Sequence, residues 1–237
     1  RAVATSAVRE AQNREEFLDR IRAELGLEID VISWEEEARL TLEGVFWKIR
    51  PQGKRVLIFD IGGGSTEFIL SDGKTLLRSC GTSLGVVRLT EQFITKHPVD
   101  PEEYMNLEAY LRKELVGVRG LLALEPVDQV IGTAGTVTTL ASIDQNLFPY
   151  DPVKVHCASL SRDCIESIQV DLKKKSIEER RKIKSLEKGR EDLIIAGTAI
   201  VLGVLEVFTA FELTVSEYGL REGVILQFLK TKEKRKI

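Results

Sequence analysis

The stretch RVLIFDIGGGSTEFIL, residues 55–70, decides the fold. An apolar run at 56–59 ends in Asp60. Gly62, Gly63 and Gly64 follow, then Ser65, Thr66, Glu67 and a second apolar run. A Rossmann or P-loop glycine turn opens a helix, but residues 67–70 read as a strand. The stretch is therefore predicted to be a glycine-rich hairpin. Without Cβ atoms the three glycines admit left-handed backbone, so successive amides can converge on an anion. Ser65 and Thr66 add hydroxyl donors, and Asp60 and Glu67 flank the loop. A phosphate cradle beside carboxylates calls for Mg2+, which bridges acid and phosphate and offsets their repulsion. The competing reading is a plain tight turn with a solvated acid.

Working outward, strands are predicted at 55–60, 66–71 and 75–80, with Asp72-Gly73 making the second connection a hairpin. Helices follow at 86–96 and 101–120. A strand at 128–132 leads into a second small-residue turn, Thr133-Ala134-Gly135-Thr136, and then a helix, whose N-terminus suits phosphate. Residues 151–190 read as irregular and then helical, and the charge run KKKSIEERRKIK (173–184) as a solvated helix face. The segment 191–208 is apolar nearly all round and reads as a buried helix. A strand at 212–216 and a helix from about 220 close the chain. Three strands in tight succession, then strands alternating with helices, give an α/β fold: a mixed sheet with helices on both faces.

Upstream of the hairpin, residues 1–4 read as the end of a strand. Residues 10–25 read as a helix with Phe17, Leu18, Ile21 and Leu25 on one face, stopped by Gly26. A short strand at 28–32 precedes a capping box, Ser33 with Glu36. The helix that follows buries Ala38, Leu42, Val45 and Ile49. Residues 51–54 are a turn and the expected boundary between two units.

Of 237 residues, 43% are hydrophobic and 30% charged, as in ordinary globular proteins. The net charge of -3 argues against a nucleic-acid surface. The basic C-terminal KTKEKRKI reads as a solvated, frayed helix end. Three cysteines without CxxC spacing point to reduced thiols, no zinc site and a cytoplasmic setting. The opening residues lack a signal-peptide core, and the apolar part of 193–208 is too short to span a membrane.

Eight stretches in order along the chain carry a resemblance: VATSAVREAQN (3–13), ISWEEEARLTLEGV (32–45), DIGGGSTEFIL (60–70), SLGVVRLTEQF (83–93), GTAGTVTTLA (132–141), YDPVKVH (150–156), IIAGTAI (194–200) and SEYGLREGV (216–224). The chain resembles the exopolyphosphatase/guanosine pentaphosphate phosphohydrolase (Ppx/GppA) family of the actin-like (ribonuclease H-like) ATPase superfamily. The resemblance implies two actin-like lobes and hydrolysis of a terminal phosphoanhydride of polyphosphate or of guanosine pentaphosphate. It implies that Glu37 activates water and that Asp60 and Glu67 position Mg2+ or water. Gly62, Gly63, Gly64, Ser65 and Thr66, with Thr133, Ala134, Gly135 and Thr136, would bind phosphate, and Arg9 would reach the phosphate chain. Taken by themselves, Glu37 reads as a solvated first-turn carboxylate and Arg9 as a surface helix residue. His156 reads as a structural hydrogen-bonding residue.

The family pattern begins with a further strand and an Asp-x-Gly-Ser/Thr loop that this sequence does not contain. The expectation is a remnant of a first lobe (residues 1–50, completed by the C-terminal helix) and a complete second lobe (51–237). The sheet edge left at residues 1–4 would invite association, a homodimer included. Two other readings stand beside the hydrolase: a non-catalytic phosphate-binding module and a small-molecule kinase.

Overall fold

The computed structural model describes residues 2–122 and 125–234. Arg1 and residues 235–237 of the basic C-terminal stretch lie outside the described residues. The chain opens with strand β1 (Ala2–Ala4), the short helix α1 (Ser6–Arg9), helix α2 (Arg14–Leu25), strand β2 (Ile29–Val31) and helix α3 (Trp34–Phe46). The hairpin supplies β3 (Val56–Ile61) and β4 (Thr66–Ser71), followed by β5 (Leu76–Thr82), α4 (Val86–Phe93), α5 (Pro101–Leu122), β6 (Gln129–Thr133) and α6 (Gly135–Asp144). Next come α7 (Pro152–Val155), β7 (Ser159–Ser161), α8 (Arg162–Lys173), α9 (Ile177–Arg180), α10 (Leu193–Val207), β8 (Glu212–Ser216) and α11 (Leu220–Lys234).

Six strands form one mixed sheet in the order β5-β4-β3-β6-β8-β7. The first three are an antiparallel meander, and β6 and β8 run parallel to β3 as crossovers through helices require. The edge strand β7 runs antiparallel to β8 and sits in the stretch read from sequence as irregular. One face of the sheet carries the large core, where Leu57, Phe59 and Phe68 meet α4, α5, α6, α8 and α10. On the other face Val56, Ile58, Ile69 and Ile131 pack against Ala38, Leu42, Val45 and Ile49 of α3. α10 is the most apolar helix, yet among the described residues no helix is long and apolar enough to cross a membrane.

α11 packs along α3 with no side chains between them at two points. A Cβ on Gly44 would fall 1.9 Å from the Gly219 carbonyl oxygen, and one on Gly223 would fall 1.9 Å from that of Leu40. Lys230 and Gln227 then reach Glu43 and Glu36 on α3.

Two sequence readings are corrected. The helix expected at 10–25 begins only at Arg14, as α2, and a separate short helix, α1, ends at Arg9 before it. Asn13 accepts the Phe17 amide with its carbonyl as the second helix starts. The stripe Phe17, Leu18, Ile21, Leu25 is not buried among the described residues, with Phe17 and Leu25 exposed. The charge run at 173–184 is not uniformly solvated either, because Arg180 is fully buried.

Candidate functional site

Strand parity assembles the site. Val56, Ile58 and Asp60 alternate onto the face covered by α3, as do Ile69 and Glu67 on β4 and Ile131 and Thr133 on β6. Asp60 is directly opposite Glu67 and directly beside Thr133. Two carboxylates and a threonine therefore end three neighbouring strands on one face.

α3 brings a third carboxylate to that face. Ser33 caps the helix by accepting the Glu36 amide at 3.2 Å, and the Glu36 carboxylate accepts Arg39 and Gln227. Glu37, the next residue, is buried. It accepts Arg9 Nη1 at 2.9 Å, and the same Nη1 donates to the Ile32 carbonyl at 2.7 Å. The Arg9 guanidinium lies 3.8 Å over the Trp34 ring, a cation–π contact. Trp34 in turn fills the space where Gly81, the cross-strand partner of Glu67, lacks a Cβ. Arg9 Nε and Nη2 are buried without a partner among the described residues. Two orphaned donors on one buried cation are strongly unfavourable unless an anion meets them.

The glycine loop differs from its sequence reading in one respect. None of Gly62, Gly63 and Gly64 takes a left-handed φ. The loop closes through the Gly62 amide on the Ser65 carbonyl, and the first amides of α4 bind back: Val86 to the Gly62 carbonyl and Val87 to that of Gly63. Nor is Gly63 or Gly64 needed for space, since an added Cβ would meet only ordinary contacts at 3.4 and 3.7 Å, with a tighter one of 3.2 Å at Gly62. Close approach requires glycine at Gly85, where a Cβ would lie 2.2 Å from the Gly63 oxygen. The exposed Gly63 and Gly64 carry no amide hydrogen bond among the described residues. Ser65 Oγ donates to Glu67 Oε1 at 2.7 Å, and the buried Thr66 hydroxyl donates to the Leu84 carbonyl. Both hydroxyls expected to face phosphate thus already have internal acceptors. Ser6 of α1 faces the loop, its Oγ 3.7 Å from where a Gly64 Cβ would stand.

In the second turn, Thr133 is buried and donates to the Tyr218 carbonyl at 3.1 Å. Ala134 takes φ 72 and ψ 177, a region close to glycine-only. Gly135 begins α6, and the guanidinium of Arg190 lies over it, Nη2 being 2.1 Å from the position of a Gly135 Cβ. Thr136 is buried beside Gly197. Arg190 was not singled out from sequence. The available signal was a cation just ahead of a helix start, where acids are the usual choice. The Arg190 guanidinium is paired with Glu187, Nε donating to Oε2 at 2.5 Å, and its other edge lies against the helix N-terminus, where an anion would complement the dipole.

The sequence matches the Ppx/GppA phosphatase family over residues 1–232. The chain belongs to the Ppx/GppA phosphatase family. It is similar to a Ppx/GppA family member from Aquifex aeolicus of known structure, with 39% identity and a TM-score of 0.88, covering 98% of this chain and 74% of that one. It is 31% identical to exopolyphosphatase 2 of Mycobacterium tuberculosis, over 95% of this chain and 73% of the relative. It is also 31% identical to a bifunctional 3-dehydroquinate synthase/phosphatase from Fusobacterium nucleatum, over 97% of this chain. The chain spans about a third, 34%, of that protein's length.

For this Ppx/GppA chain the electrostatics of the strand ends follow from burial. Burial, then the nearby Glu37 charge, pushes the Asp60 carboxyl up to about 7. Burial, then Glu37, pushes Glu67 up to about 8, with Ser65 opposing. Glu37 is also raised by burial, against the hydrogen bond from Arg9. Of the three carboxylates, Glu37 alone takes a hydrogen bond from the Arg9 guanidinium among the described residues, and Glu67 feels its charge only weakly. Among the described residues no three His, Cys, Asp or Glu side chains converge as a ready metal cage. Two acids short of countercharge suit a hard cation that keeps several waters and takes its remaining ligands from substrate oxygens. His156 stands apart from this cluster, accepting the Glu217 amide at Nδ1 and stacking edge-on against Tyr218 at 4.7 Å.

Proposed function

We propose that this chain hydrolyses the terminal phosphoanhydride of a polyphosphate chain, inorganic or carried on a guanosine nucleotide, with Glu37 as the general base. One observation carries the reading: Glu37 with Arg9, and Asp60 with Glu67, lie on a single sheet face beside a loop with two free amides. Arg9 Nε and Nη2 donate to oxygens of the terminal phosphoryl group, and the Gly63 and Gly64 amides donate to others. Arg190 and the N-terminus of α6 hold the chain further from the reacting end. Water attacks phosphorus in line with the bridging oxygen. Its proton passes to Glu37, and the bond to the bridging oxygen breaks as the new P–O bond forms. Asp60 and Glu67 would hold Mg2+, which supplies neutralising charge to the phosphate oxygens when bound. As the phosphoryl group draws the Arg9 guanidinium, Glu37 loses a partner and gains basicity.

The test is phosphate release from inorganic polyphosphate with Mg2+ present. Glu37→Gln should lower kcat by about a thousandfold or more while polyphosphate affinity and melting temperature hold. Activity at the wild-type level in that variant removes Glu37 from the reaction.

A second reading draws on the Arg9–Glu37 ion pair itself. A carboxylate already bound by a guanidinium at 2.9 Å is a poor base, which favours a non-catalytic phosphate-binding module. Tight polyphosphate binding without phosphate release by the wild-type chain would select it.

A further inference from the structure

Arg180 is fully buried, and none of its bonds goes to a carboxylate. Its Nε donates to the Leu172 carbonyl at 2.9 Å, at the end of α8. Its Nη1 lies 3.0 Å from Nδ1 of His97 and donates to the Glu191 carbonyl at 2.9 Å. Nη2 is buried with no partner among the described residues. Burial holds the His97 imidazole below its usual range, with the Arg180 charge adding to the effect, so the neutral ring accepts at Nδ1. A guanidinium buried on two carbonyls and an imidazole is an expensive way to stabilise a core, and an apolar side chain of similar volume does that better. What this arrangement supplies is geometry, since it joins residues 97, 172 and 191.

The third of those points is next to Arg190. Glu191 is fixed twice, by Arg180 at its carbonyl and by its own carboxylate, which accepts the Gly189 amide at 2.9 Å. Gly189 takes a left-handed φ of 85, and the Arg190 carbonyl accepts the Ile194 amide as α10 begins. Arg190 is therefore held on both sides along the chain, and its guanidinium, paired with Glu187 of the same loop at 2.5 Å, lies over Gly135. We propose that Arg180, together with His97, is a positioning residue that sets Arg190 against the N-terminus of α6, and so determines affinity for the phosphate chain. The inference rests on the phosphate-chain reading above for its functional readout, while the clamp itself can be read separately.

The experiment uses the full chain with inorganic tripolyphosphate, by calorimetry and by phosphate release. Lysine cannot span the acceptors that the guanidinium fork reaches. Arg180→Lys should weaken binding and raise KM by about tenfold, about 1.4 kcal/mol, with kcat within about twofold. In an Arg190→Ala background the same change should have no further effect. An equal loss in both backgrounds, or no loss in the wild-type background, overturns the proposal. Should Arg180→Lys not fold, His97→Gln tests the same clamp, with a smaller rise in KM that also vanishes in the Arg190→Ala background. If the wild-type chain neither binds nor hydrolyses tripolyphosphate, the functional reading fails, and amide exchange decides the clamp. Either variant should then speed exchange in residues 187–193 at least about tenfold while α5 is unchanged. Unchanged exchange in that loop overturns the clamp as well.

Discussion

The two small-residue turns use the same kinds of residue for opposite ends. The turn at residues 62–66 joins antiparallel strands, has no left-handed glycine, and has its carbonyls tied down by α4. The turn at 133–136 leads from a strand into a helix. Its strained residue is an alanine, and its glycine makes room for a guanidinium from a distant loop. At the first, close backbone packing requires a glycine at Gly85 rather than at Gly63 or Gly64, and in the second the missing Cβ of Gly135 serves a side chain. A run of glycines therefore does not by itself report unusual dihedrals.

The contrast can be broken most severely at Gly85. Gly85→Ala forces a methyl into the Gly63 and Gly64 backbone, which has no flexible end to yield. It should cost about 3 kcal/mol or more of stability, measured by denaturant unfolding. A change under about 1 kcal/mol would mean that α4 does not brace the loop.

The acids belong to the first turn alone, and pH sharpens that difference. Asp60 and Glu67 have folded-state pKa values raised to about 7 and about 8, by burial first and by Glu37 second. A carboxyl raised on folding binds more protons folded than unfolded. Its contribution is complete below the ordinary carboxylate range and disappears as pH rises through the folded value. In chelator the melting temperature should fall by roughly 5 °C or more between pH 5 and pH 8.5, and Mg2+ should recover most of it at the upper end. A flat profile would show that the two acids are not short of countercharge. Glu67→Gln should flatten it in part.

Much of this arrangement was legible in the sequence. The β3–β4 hairpin and the stripe Ala38, Leu42, Val45, Ile49 follow from local periodicity, and all four stripe residues are buried. The hairpin reading placed Asp60 and Glu67 at the two ends of the loop, and the strand register then sets them directly opposite each other. Glu37 was another matter. Three successive glutamates open α3, and only the path of the helix over the sheet decides which one turns inward. Arg190 and Arg180 were hidden for a related reason. Each sits among other charges; Arg180 is removed from solvent by packing, while Arg190 stays partly exposed and is brought over Gly135 by the path of its loop. The exposed Phe17 and Leu25 show the reverse case, a regular apolar stripe that nothing among the described residues covers.

Smaller effects test the second turn against the first. Ala134→Gly should stabilise the chain by about 1 kcal/mol, because glycine adopts φ 72 and ψ 177 without strain. A loss of stability there would mean that the alanine methyl packs usefully enough to outweigh its backbone. The smallest effect is expected at Gly63, where an added Cβ meets only Val87 Cγ2 at 3.4 Å, an ordinary contact. Gly63→Ala should shift stability by less than about 0.5 kcal/mol. A large loss there would overturn the reading that this glycine needs no special dihedral.

The crossing of α3 and α11 has a mechanical consequence. Where two backbones touch directly, no compliant layer of side chains absorbs a displacement, so the two helices shift as one rod. That rod carries Glu37 along its length and ends at Gly219, whose Cβ position is 3.0 Å from Thr133 Oγ1 and 3.8 Å from Asp60 Oδ2. Lys230 of α11 ties the two helices together again at Glu43 of α3, less than about two helical turns from Glu37. The last helix of the chain is thus a lever: a pull on its outer turns is delivered to the gap between Glu37 and Asp60.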